Sequence, residues 1–190
     1  MVTRLKNADY RSREHLTPDE VKRLLDAASL RGRHPVRDRA IVLLSFRHGL
    51  RAGEAARLKW DGVMLDSRAI SINRLKGSIS GTHPLQEDEL ELLSDLKVAY
   101  PDRFYLFMNE RGQHISPAAI AKMIARAGAL AELPVKVHPH MLRHSCGYWL
   151  AEQGVPTRDI QEYLGHRNIQ NTVRYTAGNP ARFNAFRWNT

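Results

Sequence analysis

The tetrapeptide Thr17-Pro18-Asp19-Glu20 is the first clear structural signal in the chain and marks a helix start. Thr17 can cap the unpaired N–H groups of a helix start, Pro18 fits the first helical position, and Glu20 completes a capping box with Thr17. Val21, Leu24, Leu25 and Ala28 then recur at i, i+3, i+4 and i+7, which predicts an amphipathic helix with one buried stripe. Val36 to Arg47 is heavily apolar through Ala40, Ile41, Leu43, Leu44 and Phe46 and predicts a second helix. Gly49 interrupts it, and a short helix is expected to resume from Arg51 to Leu58. Further helices are predicted over Gln86–Ala99, from Ser116-Pro117 to about Ala127, and over Pro139–Gln153 with Gly154 ending it. Thr157 is read as the cap of a short helix ending before Gly165, and Asn168 to Tyr175 as another.

One stretch departs from this period. Ile70 and Ile72 alternate with Ser71 and Asn73 between Arg68 and Leu75, the pattern of a half-buried strand. Gly77, Gly81 and Pro84 mark turns after it, so the region reads as a small sheet or hairpin. A short Tyr105–Met108 strand and a turn at Asn109–Gly112 are expected next. The 190 residues show no repeat, no heptad and no long linker, so the expected class is one mainly α domain with a small antiparallel β-sheet.

Charge narrows the partners. Lys and Arg total 29 against 20 Asp and Glu, a net +9, which points to nucleic acid or an anionic membrane surface. No apolar run approaches the ~18 residues of a membrane span, and the N-terminus has no apolar signal-peptide core. No segment joins a strong apolar face to a basic one, which argues against a membrane surface. Cys146, the single cysteine, excludes an internal disulfide and a cysteine-clustered metal site and suits a reducing cytoplasm.

The densest polar cluster is His138-Pro-His140-Met-Leu-Arg143-His144. His140 and Arg143, three apart on a helix, share a face and suit an oxygen-rich ligand, although a self-satisfied surface pair reads equally well. His138 and His144 are the less persuasive members. Arg51 follows Gly49-Leu50, and Glu54 three residues on either orients it, caps the new helix or forms a solvated pair with it. Lys76 sits in a turn rich in Gly and Ser, within reach of DNA or simply solvated. His166 follows Gly165 between two helical segments, a place where a histidine is more often structural. Tyr105 and Tyr148 read as core residues. Tyr175 stands beside Arg174 and away from a continuous apolar run, a weak nucleophile by itself, with an unperturbed phenol pKa of about 10. There is no G-x-x-x-x-G-K-[ST] loop and no cluster of carboxylates for two-metal chemistry. Cations, imidazoles and a phenol instead suit charge stabilisation on a phosphodiester attacked by tyrosine.

Four strings turn this assembly into a resemblance: HGLRAGEAARLKW around Arg51, INRLKGSISGTHPL around Lys76, HPHMLRHSCGYWL around His140 and Arg143, and YLGHRNIQNTVRYTAGNPARF around His166 and Tyr175. In this order, with tyrosine nine residues after the Gly-His pair, the chain resembles a tyrosine recombinase of the phage-integrase family from about residue 15 to residue 187. More narrowly, it is similar to the short DNA invertases that switch fimbrial expression.

The resemblance implies the recombinase catalytic-domain fold. It also implies that Arg51 and Arg143 hold the scissile phosphate while Tyr175 attacks phosphorus to leave a 3′-phosphotyrosyl link. Lys76 would protonate the departing 5′ oxygen, His140 would assist proton transfer from the phenol, His166 would hydrogen-bond the phosphate, and Glu54 would support the site. No metal, ATP or other cofactor is implied. The implied partners are double-stranded DNA with paired recombination sites, a homotetramer on the synapsed DNA working through a Holliday junction, and host DNA-bending proteins, in a cytoplasmic, nucleoid-associated setting.

The expected organisation is a short basic arm over residues 1–14, a catalytic domain over 15–178, and a 179–190 segment. Phe183, Phe186 and Trp188 of that segment would pack either on a neighbouring protomer or on their own domain. Only about 15 residues precede the first helix, so affinity is expected to come from the basic domain, the arm, protomer contacts or bending proteins. The role implied is promoter inversion; integration or excision by a mobile element uses the same chemistry. A type IB topoisomerase and a non-catalytic DNA-binding regulator are the competing readings.

Overall fold

The structure is a computed structural model and describes residues 13–30, 32–75, 77–178 and 183. The arm up to residue 12, Lys76, and Phe186 and Trp188 lie outside the described residues. Helix α1 spans Pro18–Leu30. The expected capping box opens it: the Thr17 N–H donates to Glu20 Oε2 at 2.8 Å and the Glu20 N–H to Thr17 Oγ1 at 3.3 Å. Val21, Leu24, Ala27 and Ala28 form its buried stripe.

Helix α2, Pro35–Arg47, is the central post of the domain. Ala40, Ile41, Val42, Leu43 and Leu44 are buried in succession, so the middle of the helix is buried on all sides and not merely on one face. It packs against α1, α4 (Glu87–Ala99) and α6 (Pro139–Glu152). Burying each such Leu or Ile is worth about 1.5–3 kcal/mol, and this explains why one helix can hold three others. After α2 the expected Arg51–Leu58 helix is a single turn, α3, Ala52–Ala55. It stops early because the chain is drawn into extended pairing: Leu106 N–H donates to Leu58 O at 2.9 Å and Trp60 N–H to Phe104 O at 3.1 Å.

The sheet has three antiparallel strands in the order β1 (Val63–Met64), β2 (Ala69–Ile72), β3 (Gly81–Pro84). Gly81 and Pro84, expected as turns, are therefore strand residues, with Ile72 opposite Gly81 and Ala69 opposite Pro84. They are tolerated because β3 is an edge strand, where a missing N–H costs little. Residues 105–108 do not form a strand; they make isolated bridges, Lys59 with Tyr105 and Met108 with His114. Tyr105 and Tyr148 are only partly buried, and Tyr148 packs against a smaller core cluster.

Helix α4 starts from Gln86, whose N–H donates to Glu89 Oε2 at 2.9 Å. Helix α5 spans Pro117–Leu130, with Ser116 Oγ accepting from Ala119 N–H at 3.1 Å. It runs past Ala127 to Leu130, and Gly128 within it is a packing residue: a Cβ on it would lie 2.5 Å from Val137 Cγ2. Helix α6 ends as expected before Gly154, whose φ is +77°. Helix α7 is Thr157–Leu164 and α8 is Gln170–Thr176. Pro156, not Thr157, holds the cap position of α7, and the Thr157 hydroxyl instead meets Thr176 Oγ1 at 2.8 Å. Cys146, Ala151, Ile160, Leu164 and Tyr175 form a second, smaller core between α6, α7 and α8. Phe183 is 48% exposed. The mainly helical domain with a small antiparallel sheet matches the class expected from sequence.

Candidate active site

A sharp corner carries Arg51. His48 closes α2, and Gly49 follows with φ +56°. A Cβ at 49 would lie 2.3 Å from Leu164 Cδ2, so glycine is needed both for the turn and for the approach of α7. Arg51 then sits at the cap of α3, its N–H donating to Glu54 Oε2 at 3.0 Å. Arg51 Nη1 reaches Glu54 Oε1 at 2.6 Å and Ser78 Oγ at 3.2 Å.

Glu54 is 2% exposed and is the electrostatic hub. Besides Arg51 it takes Arg74 Nη1 at 3.0 Å and the Leu75 N–H at 3.2 Å, with Arg143 Nη1 at 4.0 Å. Burial alone would push its carboxyl up, but the Arg51 N–H, the Arg74 charge and the Arg51 guanidinium hold it below the ordinary carboxylate value. The solvated-pair reading of Arg51 and Glu54 is thereby replaced by a buried carboxylate facing three guanidiniums.

Arg143 projects from α6 and is 3% exposed. Its Nη1 donates to Gly49 O, and its Nη2 to Leu164 O at 2.7 Å, so it ties the Gly49 corner to the end of α7. Burial, with Arg74 and Arg51 nearby, pulls its pKa down to about 10, and it remains a cation at neutral pH. Gly165 ends α7 at φ +70°, and a Cβ there would stand 2.3 Å from Ile79 O. The β2–β3 loop docks at this glycine through an Ile79 N–H to Gly165 O bond of 3.1 Å. His166 is buried, with Nδ1 2.9 Å from Thr172 Oγ1; burial and the charges of Arg143 and Arg51 lower it to about 4.

Tyr175, on α8, is 2% exposed. Its ring meets Tyr148 edge-on at 5.1 Å and lies near-parallel to His166, with centroids 6.4 Å apart. The phenol oxygen is 2.9 Å from His144 Nδ1. His140 does not make that bond; its ring centroid is 6.5 Å from that of His144. Burial raises the phenol pKa, against the opposing charges of Arg143 and Arg174. Arg51, His140, Arg143, His144, His166 and Tyr175 all line one cavity of about 780 Å³.

Sequence reasoning missed one member of this neighbourhood, Arg74, and set another, His144, among the less persuasive. His144 is on the phenol, and its signal was the i, i+4 spacing from His140 on one helix face. Arg74 donates to Glu54, to Gly49 O at 3.1 Å, to His48 O at 2.8 Å and to Tyr163 O at 2.7 Å. Its signal was strand alternation, which puts Arg74 in phase with buried Ile70 and Ile72. Among the described residues there is no cluster of His, Cys, Asp and Glu suited to a metal ion, and no helix long and apolar enough to cross a membrane.

Residues 14–182 match the model of the phage integrase family. The chain is 43% identical over 185 residues to the type 1 fimbriae regulatory protein FimB of Escherichia coli K12, covering 94% of this chain and 92% of that one. Among solved structures it is similar to XerA recombinase, with 33% identity and a TM-score of 0.76, covering 88% of this chain and 61% of that one. XerH site-specific recombinase, solved bound to its difH substrate, has 26% identity and a TM-score of 0.74, covering 86% of this chain and 50% of that one. The chain thus spans about half to three-fifths of the length of these two solved recombinases. A fold, a cavity and a near full-length likeness to FimB lead to one assignment: the chain belongs to the phage integrase family and is a tyrosine recombinase.

Proposed function

We propose that this recombinase inverts a promoter-bearing DNA segment to control fimbrial phase variation, cleaving with Tyr175 as nucleophile. The observation that carries the chemistry is the convergence of two buried or half-buried arginines, imidazoles and the Tyr175 phenol on one cavity. Arg51 and Arg143 neutralise the non-bridging oxygens as charge builds at phosphorus, and preorganised guanidiniums do this without reorganising in the reaction. His166 hydrogen-bonds the same phosphate, His140 contributes from the cavity wall, and Glu54 fixes Arg51. Lys76 protonates the 5′ oxygen. The phosphotyrosyl link retains the energy of the cleaved phosphodiester, so attack by a partner strand's 5′-hydroxyl reseals DNA without ATP or metal.

The regulatory end of the reading rests on the 43% identity to a fimbriae regulatory protein. Two paired sites call for four protomers, exchanging strands through a Holliday junction, with residues 1–14 as a basic arm, 15–178 as the catalytic unit and 179–190 packing on a neighbour. Its place of action is the cytoplasm, on the nucleoid.

The experiment is to trap protein covalently attached to DNA in its native cells and sequence the attached ends, with Tyr175→Phe as control. Tyr175-dependent ends at paired inverted repeats are expected. Direct repeats or a mobile-element junction would replace inversion by excision or integration; scattered ends would indicate a topoisomerase. DNA occupancy with no adduct would indicate a non-catalytic regulator.

A further inference from the structure

The phenol of Tyr175 is shielded from solvent, and its oxygen lies 2.9 Å from His144 Nδ1. That imidazole is carried by α6. It follows Arg143 on α6, so phosphate-binding cation and imidazole are set by the same helical turn. The Tyr175 ring opposite is held by Tyr148 and by the absence of a side chain at Gly147. Both rings line the cavity that Arg51 and Arg143 share.

We propose that His144, rather than His140, takes the phenol proton as the Tyr175 oxygen attacks phosphorus. This deepens the strand-cleavage reading and rests on Tyr175 being the nucleophile. In the step, the Tyr175 O–P bond forms and the P–O5′ bond breaks. The phenol proton passes to His144 Nδ1, and the 5′ oxygen takes a proton from the general acid, the role proposed for Lys76. Rejoining runs both transfers backwards.

The protonation state suits the task. Burial, then Arg174, with Glu14 opposing and His140 and Arg143 adding, brings His144 down to about 4. Tyr175 and Arg174 face it from α8, Glu14 from the segment before α1, His166 from the α7–α8 turn, and His140 and Arg143 from its own helix. At neutral pH the imidazole is therefore uncharged and has one nitrogen able to accept. A phenol donating to that nitrogen keeps a lone pair for phosphorus. An entering phosphodiester places a negative charge among the cations that depress His144 and so raises its basicity when the proton must move. His140 has no such contact with the phenol, although it shares the cavity.

The test is single-turnover cleavage of a nicked duplex carrying the recombination site recovered from cells, by the full chain, across pH. His144→Ala is expected to slow cleavage by about 10²–10⁴-fold at neutral pH, the usual contribution of a positioned base. The deficit should shrink as pH rises, and fluorotyrosine at position 175, a more acidic phenol, should recover more of the variant's rate than of the wild-type rate. His144→Asn, which keeps an acceptor near the Nδ1 position but cannot take the proton, should show the same deficit. DNA affinity should stay close to wild type in both. Wild-type rates in either variant, or a deficit unchanged by pH and by fluorotyrosine, would overturn the assignment. A wild-type chain that forms no Tyr175 adduct on this duplex overturns the nucleophile reading itself, and the wild-type control reports that separately.

Discussion

Gly147 lies directly against the Tyr175 ring: a Cβ at position 147 would stand 2.6 Å from Cε2 and 2.7 Å from Cδ2 and Cζ. The seat of the phenol is therefore cut into α6 by the absence of a side chain. Gly147→Ala gains about 1 kcal/mol of helix propensity and loses about 1–3 kcal/mol to overpacking. We expect a small net change in melting temperature but a large loss of covalent cleavage, because Tyr175 must move away from His144. A variant cleaving at the wild-type rate would show that the ring is not held in place by this contact.

Glu54→Gln should be among the most destabilising single changes, by about 3–5 kcal/mol, because it leaves buried guanidiniums without their carboxylate. The sign with pH follows from its lowered pKa: the contribution is complete above the ordinary carboxylate value of 4.5 and is lost as pH falls through the folded value. Chemical denaturation at neutral pH measures the first effect. The gap between wild type and variant should narrow only below the ordinary value.

Arg74→Lys removes a planar fork that serves Glu54 and three backbone carbonyls at once. An ammonium on a flexible stem cannot span those four acceptors. The variant should be less stable than the parent and should lose cleavage rate more than DNA affinity, read by filter binding alongside single-turnover cleavage. Equal stability would show that Arg74 is not the tie between the Gly49 corner and α7.

Acid should weaken the fold before its carboxylates titrate. His144 and His166 are lowered to about 4 and His83 to about 3, each by burial first. Their folded values lie below the ordinary 6.5, so the unfolded chain binds protons first. The stability they contribute is whole above 6.5 and is lost as pH falls through about 4 and then about 3. Melting temperature should thus begin to fall below 6.5 and not only below 4.5, and a flat profile between those values would contradict it.

Local chemistry made much of this legible in the sequence. Thr17 with Glu20, and Ser116 with Pro117, announce helix starts whose capping bonds are present, and the alternation of Ile70 and Ile72 locates the central strand. What escaped depends on partners distant in sequence. The α3 helix is shortened by pairing with residues 104–106, some 48 positions from Leu58. Gly81 and Pro84 look like turn residues until the edge position of β3 excuses them. Arg51, Arg143, His166 and Tyr175 were named by motif order, but motif order does not reveal that Tyr175 is buried or that His144 holds its oxygen. Arg74 carried a readable sign, a charge in phase with buried isoleucines, and its four acceptors come from α3, the Gly49 corner and α7.

The most direct test of Tyr175 as the nucleophile is to identify the residue that carries DNA. The trapped protein–DNA complex, digested with nuclease and protease and sequenced by mass spectrometry, should yield a nucleotide joined through its 3′ phosphate to the peptide containing Tyr175, at the phenol oxygen. A nucleotide on any other side chain, or an adduct that persists in Tyr175→Phe, would contradict it.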